Sequence, residues 1–195
     1  LKVRVISQLR REGEYAGTNL ALRSGLEGEI IIQSDADAMW KRDALRKVMR
    51  NFADKMVGGV ATAHTRTYVG DENPMLELEK EYWAKENELW MAEALVDSCI
   101  QMQGEGMAWR NVVEQLEAVG SGDLAIAIQL REKGFRVVYE PEARVTEHMP
   151  SDTSDFFRQK RRRVYTGLEV ILKLRRAMLN GRLGLYGLLI LPTHR

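Results

Sequence analysis

Residues 29–37 read Glu29-Ile30-Ile31-Ile32-Gln33-Ser34-Asp35-Ala36-Asp37, an apolar stretch that runs directly into an Asp-x-Asp triplet. Three consecutive β-branched residues are typical of a strand covered on both faces, as in a parallel α/β sheet. The carboxyl end of such a strand faces the crevice in which open sheets bind ligands. Two carboxylates there can bind Mg²⁺ or Mn²⁺, cations that also hold substrate phosphates. Alternatively, Asp35 or Asp37 caps the next helix or accepts hydrogen bonds from turn amides.

The composition is that of one ordinary globular domain. The chain has 195 residues, of which 45% are hydrophobic and 29% charged, and these fractions exclude a disordered protein. Its single cysteine, Cys99, cannot form an internal disulfide and is expected to be a small core residue in a reducing compartment.

The net charge of +1 conceals a strong asymmetry along the chain. Residues 1–157 carry 19 Lys/Arg and 27 Asp/Glu, a net charge of −8, whereas residues 158–195 carry 10 Lys/Arg and one acid, Glu169. A phosphate bound by the acidic part therefore needs a metal ion or a local basic cluster. The basic part would be attracted to an anionic surface.

Short strands alternate with helices along the chain, and this pattern predicts an α/β sandwich with a mostly parallel sheet. The predicted strands are 2–6, 29–34, 57–62 and 135–139, the last of them ended by Pro141. Helices are predicted over 17–25, 41–52 and 124–133 and from Asp155 onward, and residues 75–97 are predicted to form one or two long helices. The later run 183–191 is too short to span a bilayer, so it either lies in the membrane interface or begins a membrane helix.

Asp123 stands at the start of the predicted helix 124–133, after Ser121-Gly122. A carboxylate at this position can cap the helix and complement its dipole. If it faces the crevice, it can instead accept a proton from an attacking hydroxyl as a general base.

Two further stretches carry residues suited to ligands. The cluster 158–163 reads Arg-Gln-Lys-Arg-Arg-Arg and can be a solvated helix face, a nucleic-acid or membrane contact, or a group of guanidiniums that stabilises a leaving diphosphate. The glycines of Gly104-Glu-Gly-Met-Ala-Trp-Arg110 permit a close approach of the backbone, and Trp109 is either a core residue or a stacking surface. Trp83 and Trp90 are seven residues apart, so they either pack in the core or face a common groove.

These elements, in this order, resemble the family 2 glycosyltransferases of the GT-A fold, in particular the membrane-associated branch of the cellulose and hyaluronan synthases. Asp35-Ala-Asp37 matches the nucleotide-sugar and metal motif, and Gly122-Asp123 with its helix is similar to the family's Glu-Asp motif. The stretch 159–163 resembles the Gln-x-x-Arg-Trp motif, and 104–110 the acceptor-side Gly-x-Gly-x-Ala-x-Arg stretch. The resemblance covers nearly the whole chain.

The sequence departs from the family pattern in three places. Gly122 replaces the usual Glu, and the Trp of the basic motif is absent, so that the motif's Arg is either Arg162 or Arg163. The family's opening strand and its base-contacting acid do not appear in this chain, so we expect residues 1–157 to be a GT-A core that lacks these parts. Residues 158–195 are then a basic amphipathic segment.

The resemblance implies an inverting transfer of a sugar from a nucleotide diphosphate sugar, expected to be a UDP-sugar, to a hydroxyl of a glycan or lipid-linked acceptor. Asp37 would bind Mg²⁺ or Mn²⁺ with Asp35, and His148 could be a further metal ligand. Gln159 and Arg162 or Arg163 would bind the donor, and Asp123 would be the base.

The resemblance further implies that the enzyme works at the cytoplasmic face of the cell membrane. One alternative is a non-catalytic membrane-associated scaffold with altered motifs. A nucleic-acid binder is not expected, because residues 1–157 are acidic.

Overall fold

The computed structural model describes residues 3–10, 12–68, 74–116, 121–149 and 153–193. The described helices are α1 (Glu14–Arg23), α2 (Ala44–Asn51), α3 (Pro74–Val96), α4 (Gly122–Glu132) and α5 (Thr153–Lys173). The strands are β1 (Ile30–Ser34), β2 (Met39–Trp40), β3 (Val57–Tyr68), β4 (Gly106–Arg110) and β5 (Arg136–Met149). Short 3₁₀ and π turns follow α5 up to Thr193.

The described strands form one sheet in the order β1-β4-β3-β5-β2. The α/β class predicted from the sequence is confirmed. However, β3 and β5 form the one parallel pair among the described strands, and the other three pairs are antiparallel, so the expectation of mostly parallel pairing is corrected. Apolar content reports how deeply a strand is buried and not its direction, which is why the sequence misled on this point.

Two strand predictions near the start of the chain also need correction. Residues 3–6 of the predicted strand 2–6 have no regular structure. Strand β1 is not covered on both faces, because Ile32 is 43% exposed. Among the described strands it pairs with β4 alone, so it lies at the edge of the sheet. A run of β-branched residues therefore marks an edge strand in this part of the chain.

The pairing of β3 with β5 runs from Val57↔Arg136 to Tyr68↔Met149 and is the longest in the sheet. The predicted end of β5 at Pro141 was wrong. The register shifts between Thr62 and Ala63, whose partners are Glu140 and Arg144, so Pro141 falls in the irregularity. A residue without an N–H group is tolerated at such a bulge.

Each face of the sheet carries its own hydrophobic core, because successive side chains along a strand point to opposite faces. On β3, Ala61 packs into the larger core and its neighbour Val60 into the smaller one. The smaller core is closed by α2 through Ala44 and Val48. The larger core takes the buried side chains of α4, together with members of α3, of α5 and of the C-terminal turns.

The apolar run 183–191 packs back onto the larger core. Leu183, Tyr186, Ile190 and Leu191 are buried there, and the Tyr186 hydroxyl donates to the Ile100 carbonyl at 2.9 Å. Within the described ranges, none of the helices has the combination of length and apolar character needed to cross a bilayer. The predicted contact of this run with a membrane interface stays a prediction, as does the division of the chain after residue 157.

Glu93 of α3 makes the fold sensitive to pH. Its carboxylate accepts a hydrogen bond from the Ile100 N–H at 2.8 Å, but burial raises the pKa of Glu93 to about 7, and this effect outweighs the hydrogen bond. A carboxyl whose pKa is raised by folding favours the folded state while it is protonated. That contribution is complete below the unfolded pKa near 4.5 and is lost as the pH rises through about 7.

We therefore predict that Glu93→Gln raises the free energy of unfolding at pH 8 and leaves it nearly unchanged at pH 4.5. The gain at pH 8 should be about 1–2 kcal/mol, because part of the pKa shift is screened by water at this partly exposed side chain. Urea unfolding at both pH values measures it. Glu88→Gln, an exposed position on the same helix, is the control. Equal effects of the two substitutions at pH 8 would contradict the assignment.

Candidate active site

Asp35 follows β1 in a tight turn, in which the Ala38 N–H donates to the Asp35 carbonyl at 3.2 Å. The Trp40 indole N–H donates to the Ser34 hydroxyl at 3.0 Å and fixes the turn against β2. The N-cap position of α2 belongs to Asp43, whose side chain makes no capping hydrogen bond, so neither acid of the Asp-x-Asp triplet stands at the start of that helix. The turn leaves the carboxylate of Asp35 at the edge of a cavity.

This first cavity, of about 330 Å³, collects side chains that are far apart in the sequence. We call it the acidic cavity, because six acidic residues line it together with two arginines. The acids are Glu12, Glu14, Asp35, Glu105, Asp123 and Glu169, and the arginines are Arg162 and Arg163. Helix α1, strand β1, the residue before β4, helix α4 and helix α5 thus each contribute to one site.

Asp123 sits in the first turn of α4, where its carboxylate accepts hydrogen bonds from the Leu124 N–H at 2.8 Å and from the Ser121 hydroxyl. Asp123 therefore accepts a hydrogen bond from an amide at the helix start and also lines the acidic cavity, so the two positions considered from the sequence are compatible. Burial raises the pKa of Asp123, and the Glu105 charge adds to the rise, while these hydrogen bonds and Arg163 oppose it. A carboxylate with a raised pKa is a better proton acceptor.

A second cavity, of about 350 Å³, is also lined by Asp123. We call it the aromatic cavity, because Tyr82 and Trp83 of α3 form part of its wall. Gln101, Gln103, Lys160 and Ile171 also line it. The two cavities share Glu105, Ser121, Asp123, Arg163 and Thr166, so Asp123 stands between an anionic chamber and an aromatic one.

The acidic cavity holds more negative than positive charge. Burial raises the pKa of Asp35, and the charges of Glu105 and Asp37 raise it further, while Arg163 and Arg162 oppose them. Burial likewise raises the pKa of Glu14, with added repulsion from Asp123 and Asp35. Oxygen donors with surplus negative charge suit a hard divalent cation, so the residues present fit one on the side of Asp35.

Arg163 is the better connected of the two arginines that the sequence could not distinguish. Its Nη2 lies 3.5 Å from the Glu105 Oε1, and its guanidinium lies 5.9 Å from the centre of the Trp83 ring. Arg163 lines both cavities, whereas Arg162 lines the acidic cavity alone. Both arginines are thus near Asp123 and Glu105.

The remaining predicted site residues are less central. Asp37 is exposed and does not line either cavity, although its charge acts on Asp35. Gln159 is partly buried on α5, away from both cavity walls. The side chain of His148 lies outside the part of the chain that the structure describes, so its predicted metal role stays a prediction.

Sequence reasoning missed four acids that line the acidic cavity, namely Glu12, Glu14, Glu105 and Glu169, and two of them are tied closely to the site. Glu14 starts α1, and its Oε1 accepts a hydrogen bond from the Gln33 amide at 2.9 Å, which ties it to β1. Glu105 stands between Gly104 and Gly106, in a stretch that was singled out for its glycines and its Trp109. Trp109 itself is buried in the larger core.

The chain is similar in sequence and in fold to known glycosyltransferases. A family model described as glycosyltransferase like family 2 matches residues 1–166. A solved structure, the mannosyltransferase PcManGT from Pyrobaculum calidifontis in complex with GDP-Man and Mn²⁺, is similar with a TM-score of 0.67 and 26% sequence identity. The match covers 88% of this chain and 46% of that one, so this chain spans less than half of its structural relative. No curated protein matches.

We predict that Glu105→Gln lowers the pKa of both Asp35 and Asp123. The substitution removes a negative charge that raises both values, and it frees Arg163 to interact with the remaining carboxylates. Carboxyl ¹³C chemical shifts followed through a pH titration measure the two values. Glu132→Gln, which breaks a surface ion pair with Arg176, is the control and should change neither. Unchanged values in Glu105→Gln would show that the carboxylates do not sense one another.

Proposed function

This chain belongs to the glycosyltransferase like family 2, and from that membership we propose that the protein transfers a sugar from a nucleotide diphosphate sugar to a hydroxyl acceptor with inversion. The observation that carries the proposal is the position of Asp123 between the acidic and the aromatic cavity. The donor occupies the acidic cavity and the acceptor the aromatic cavity, so the acceptor hydroxyl and the sugar meet beside one carboxylate.

The chemical step needs a base on the acceptor side and cations on the donor side. Asp123 accepts the proton of the acceptor hydroxyl, and the oxygen of that hydroxyl bonds to the anomeric carbon of the donor sugar. The bond from that carbon to the diphosphate oxygen breaks on the opposite face, which inverts the configuration. Arg162 and Arg163 stabilise the negative charge that develops on the leaving diphosphate.

Asp35 and Asp37 would hold a divalent cation at the acidic cavity, and the charge of Asp37 already acts on Asp35. When bound, the cation supplies further neutralisation of the diphosphate. PcManGT was solved with GDP-Man and Mn²⁺, and this supports both the cation and the class of donor. The resemblance to the synthases favours UDP as the nucleotide. Competition between UDP-sugars and GDP-mannose for binding directly tests whether the nucleobase of the donor is uracil or guanine.

The aromatic cavity suits a sugar acceptor. Sugars stack on aromatic faces and hydrogen-bond through their hydroxyls, and here Tyr82 and Trp83 stand beside Gln101 and Gln103. The Trp83 indole N–H donates to Glu79 at 2.9 Å, which holds the ring in place. Because the basic motif lacks its Trp, Trp83 supplies the aromatic surface next to Arg163 from a different helix.

We also propose that α5 lies on the cytoplasmic face of the cell membrane. One of its faces exposes apolar side chains at helical spacing, namely those of Phe157, Val164, Tyr165, Leu168 and Leu172. Lysines and arginines flank this stripe, and the segment 158–195 carries a net charge of +9. An amphipathic helix with basic flanks binds anionic lipid surfaces.

The first experiment tests transfer and binding separately in the full-length protein. Asp123→Asn should lower the transfer rate by about 10²–10⁴-fold, because it removes the base, and should leave nucleotide-sugar binding intact. Asp35→Asn should instead weaken metal-dependent nucleotide-sugar binding. Radiolabelled transfer and calorimetry provide the two measurements, with Glu132→Gln as the control.

Unchanged turnover in Asp123→Asn would reject Asp123 as the base. Metal-dependent nucleotide-sugar binding without any transfer by the unmodified protein would favour the scaffold over the enzyme.

The second experiment tests the membrane face with vesicles that contain phosphatidylglycerol. Tyr165→Ser combined with Leu172→Ser should weaken vesicle binding about tenfold or more, because two apolar side chains no longer enter the lipid. Co-sedimentation measures the affinity. Leu78→Ser combined with Leu95→Ser, two exposed positions of α3, is the matched control. Equal loss in both double variants would contradict a specific role of α5.

A further inference from the structure

A buried cluster of three potential metal ligands lies next to the two cavities, formed by His64, Glu105 and Glu147. His64 is on β3 and Glu147 on β5, close together in the parallel pair because Glu147 is paired with Arg66, two residues beyond His64. Glu105 directly precedes β4, which pairs with β3 on its other side. Three neighbouring strands therefore bring one imidazole and two carboxylates to the same place.

The distances within the cluster suit a metal ion. One ligand atom of each side chain lies within 4.8 Å of the other two, and the His64 Nε2 is 3.8 Å from the Glu105 Oε2. Zinc bonds to imidazole nitrogen and carboxylate oxygen are about 2.0–2.2 Å long, so two ligand atoms of a tetrahedral site lie about 3.3–3.6 Å apart. The distance of 3.8 Å between His64 and Glu105 is close to this separation, and side-chain rotations would close the cluster around an ion.

Burial and charge also favour a cation. His64, Glu105 and Glu147 are only 4%, 8% and 7% exposed. An imidazole nitrogen and carboxylate oxygens are ligands that metal ions take in proteins, and a bound cation would compensate carboxylates that are removed from water. A mixed nitrogen and oxygen ligand set favours a transition metal such as Zn²⁺ over Mg²⁺ or Ca²⁺.

We propose that His64, Glu105 and Glu147 bind one Zn²⁺ ion, at a site separate from the cation position beside Asp35. Among the described residues that line the two cavities, neither His64 nor Glu147 is present. Glu105 links the two regions, because its Oε2 faces His64 while its Oε1 faces Arg163. The zinc ion thus fixes the carboxylate that positions Arg163, and it joins the ends of β3, β4 and β5.

The test measures Zn²⁺ binding, so its outcome does not depend on glycosyl transfer. Full-length protein is stripped with a chelator and dialysed against Zn²⁺, and the bound metal is counted by atomic emission. The variant D35N/D37N removes the acids of the other cation position and leaves the cluster intact. We expect it to bind one Zn²⁺ per chain as tightly as the unmodified protein. Failure of D35N/D37N to bind Zn²⁺ overturns the proposal. This outcome does not depend on whether variants of the cluster are able to fold.

Variants of the cluster then locate the ion. His64→Ala and Glu147→Gln should each weaken Zn²⁺ binding at least about tenfold. Circular dichroism establishes that each variant is folded. Glu147→Gln keeps the size and shape of the side chain, whereas His64→Ala removes the imidazole ring. Zn²⁺ affinity in both variants equal to that of the unmodified protein would also overturn the proposal, because the three side chains would then form an ion-pair cluster only. Glu132→Gln again serves as the surface control.

Discussion

The long parallel pairing of β3 with β5 is the constraint on which the rest of the structure depends. It lies near the middle of the sheet and separates the two hydrophobic cores, and alternate residues of both strands enter each of them. Parallel strands need a long connection, and the connection from β3 to β5 includes α3, β4 and α4. The pairing therefore brings Glu105 and Asp123 to one side of the sheet.

Removal from water is the main cost of gathering these acids, and their mutual repulsion adds to it. Glu14, Asp35 and Asp123 all have raised pKa values, and the first cause in each case is burial rather than any one neighbour. A cation bound beside these acids would lower their pKa values, and the proposed metal-bound diphosphate donor would supply one. Arg163 contacts both Glu105 and the aromatic ring of Trp83, so one guanidinium connects an acid of the acidic cavity with the wall of the aromatic cavity.

Prediction from sequence succeeded for elements with strong periodicity. The helices predicted over 75–97 and 124–133 correspond to α3 and α4 within two residues at each end. The strand predicted at 2–6 and the end of β5 at Pro141 were wrong, because short apolar patterns and a single proline say nothing about whether a neighbouring strand is in register. The family resemblance is confirmed by the match over residues 1–166, whereas the membrane-associated branch stays a prediction.

The sequence by itself determined that Asp35 follows a strand, that Asp123 stands at a helix start and that Arg162 and Arg163 lie on a helix. The tertiary structure alone decided that Asp35 rather than Asp37 lines the cavity, and that Glu14 and Glu105 join it. The physical reason is that local sequence sets the conformation of an element and the direction of its side chains. Distances between residues separated by ninety or more positions depend on how strands pair and helices pack, which no local pattern records.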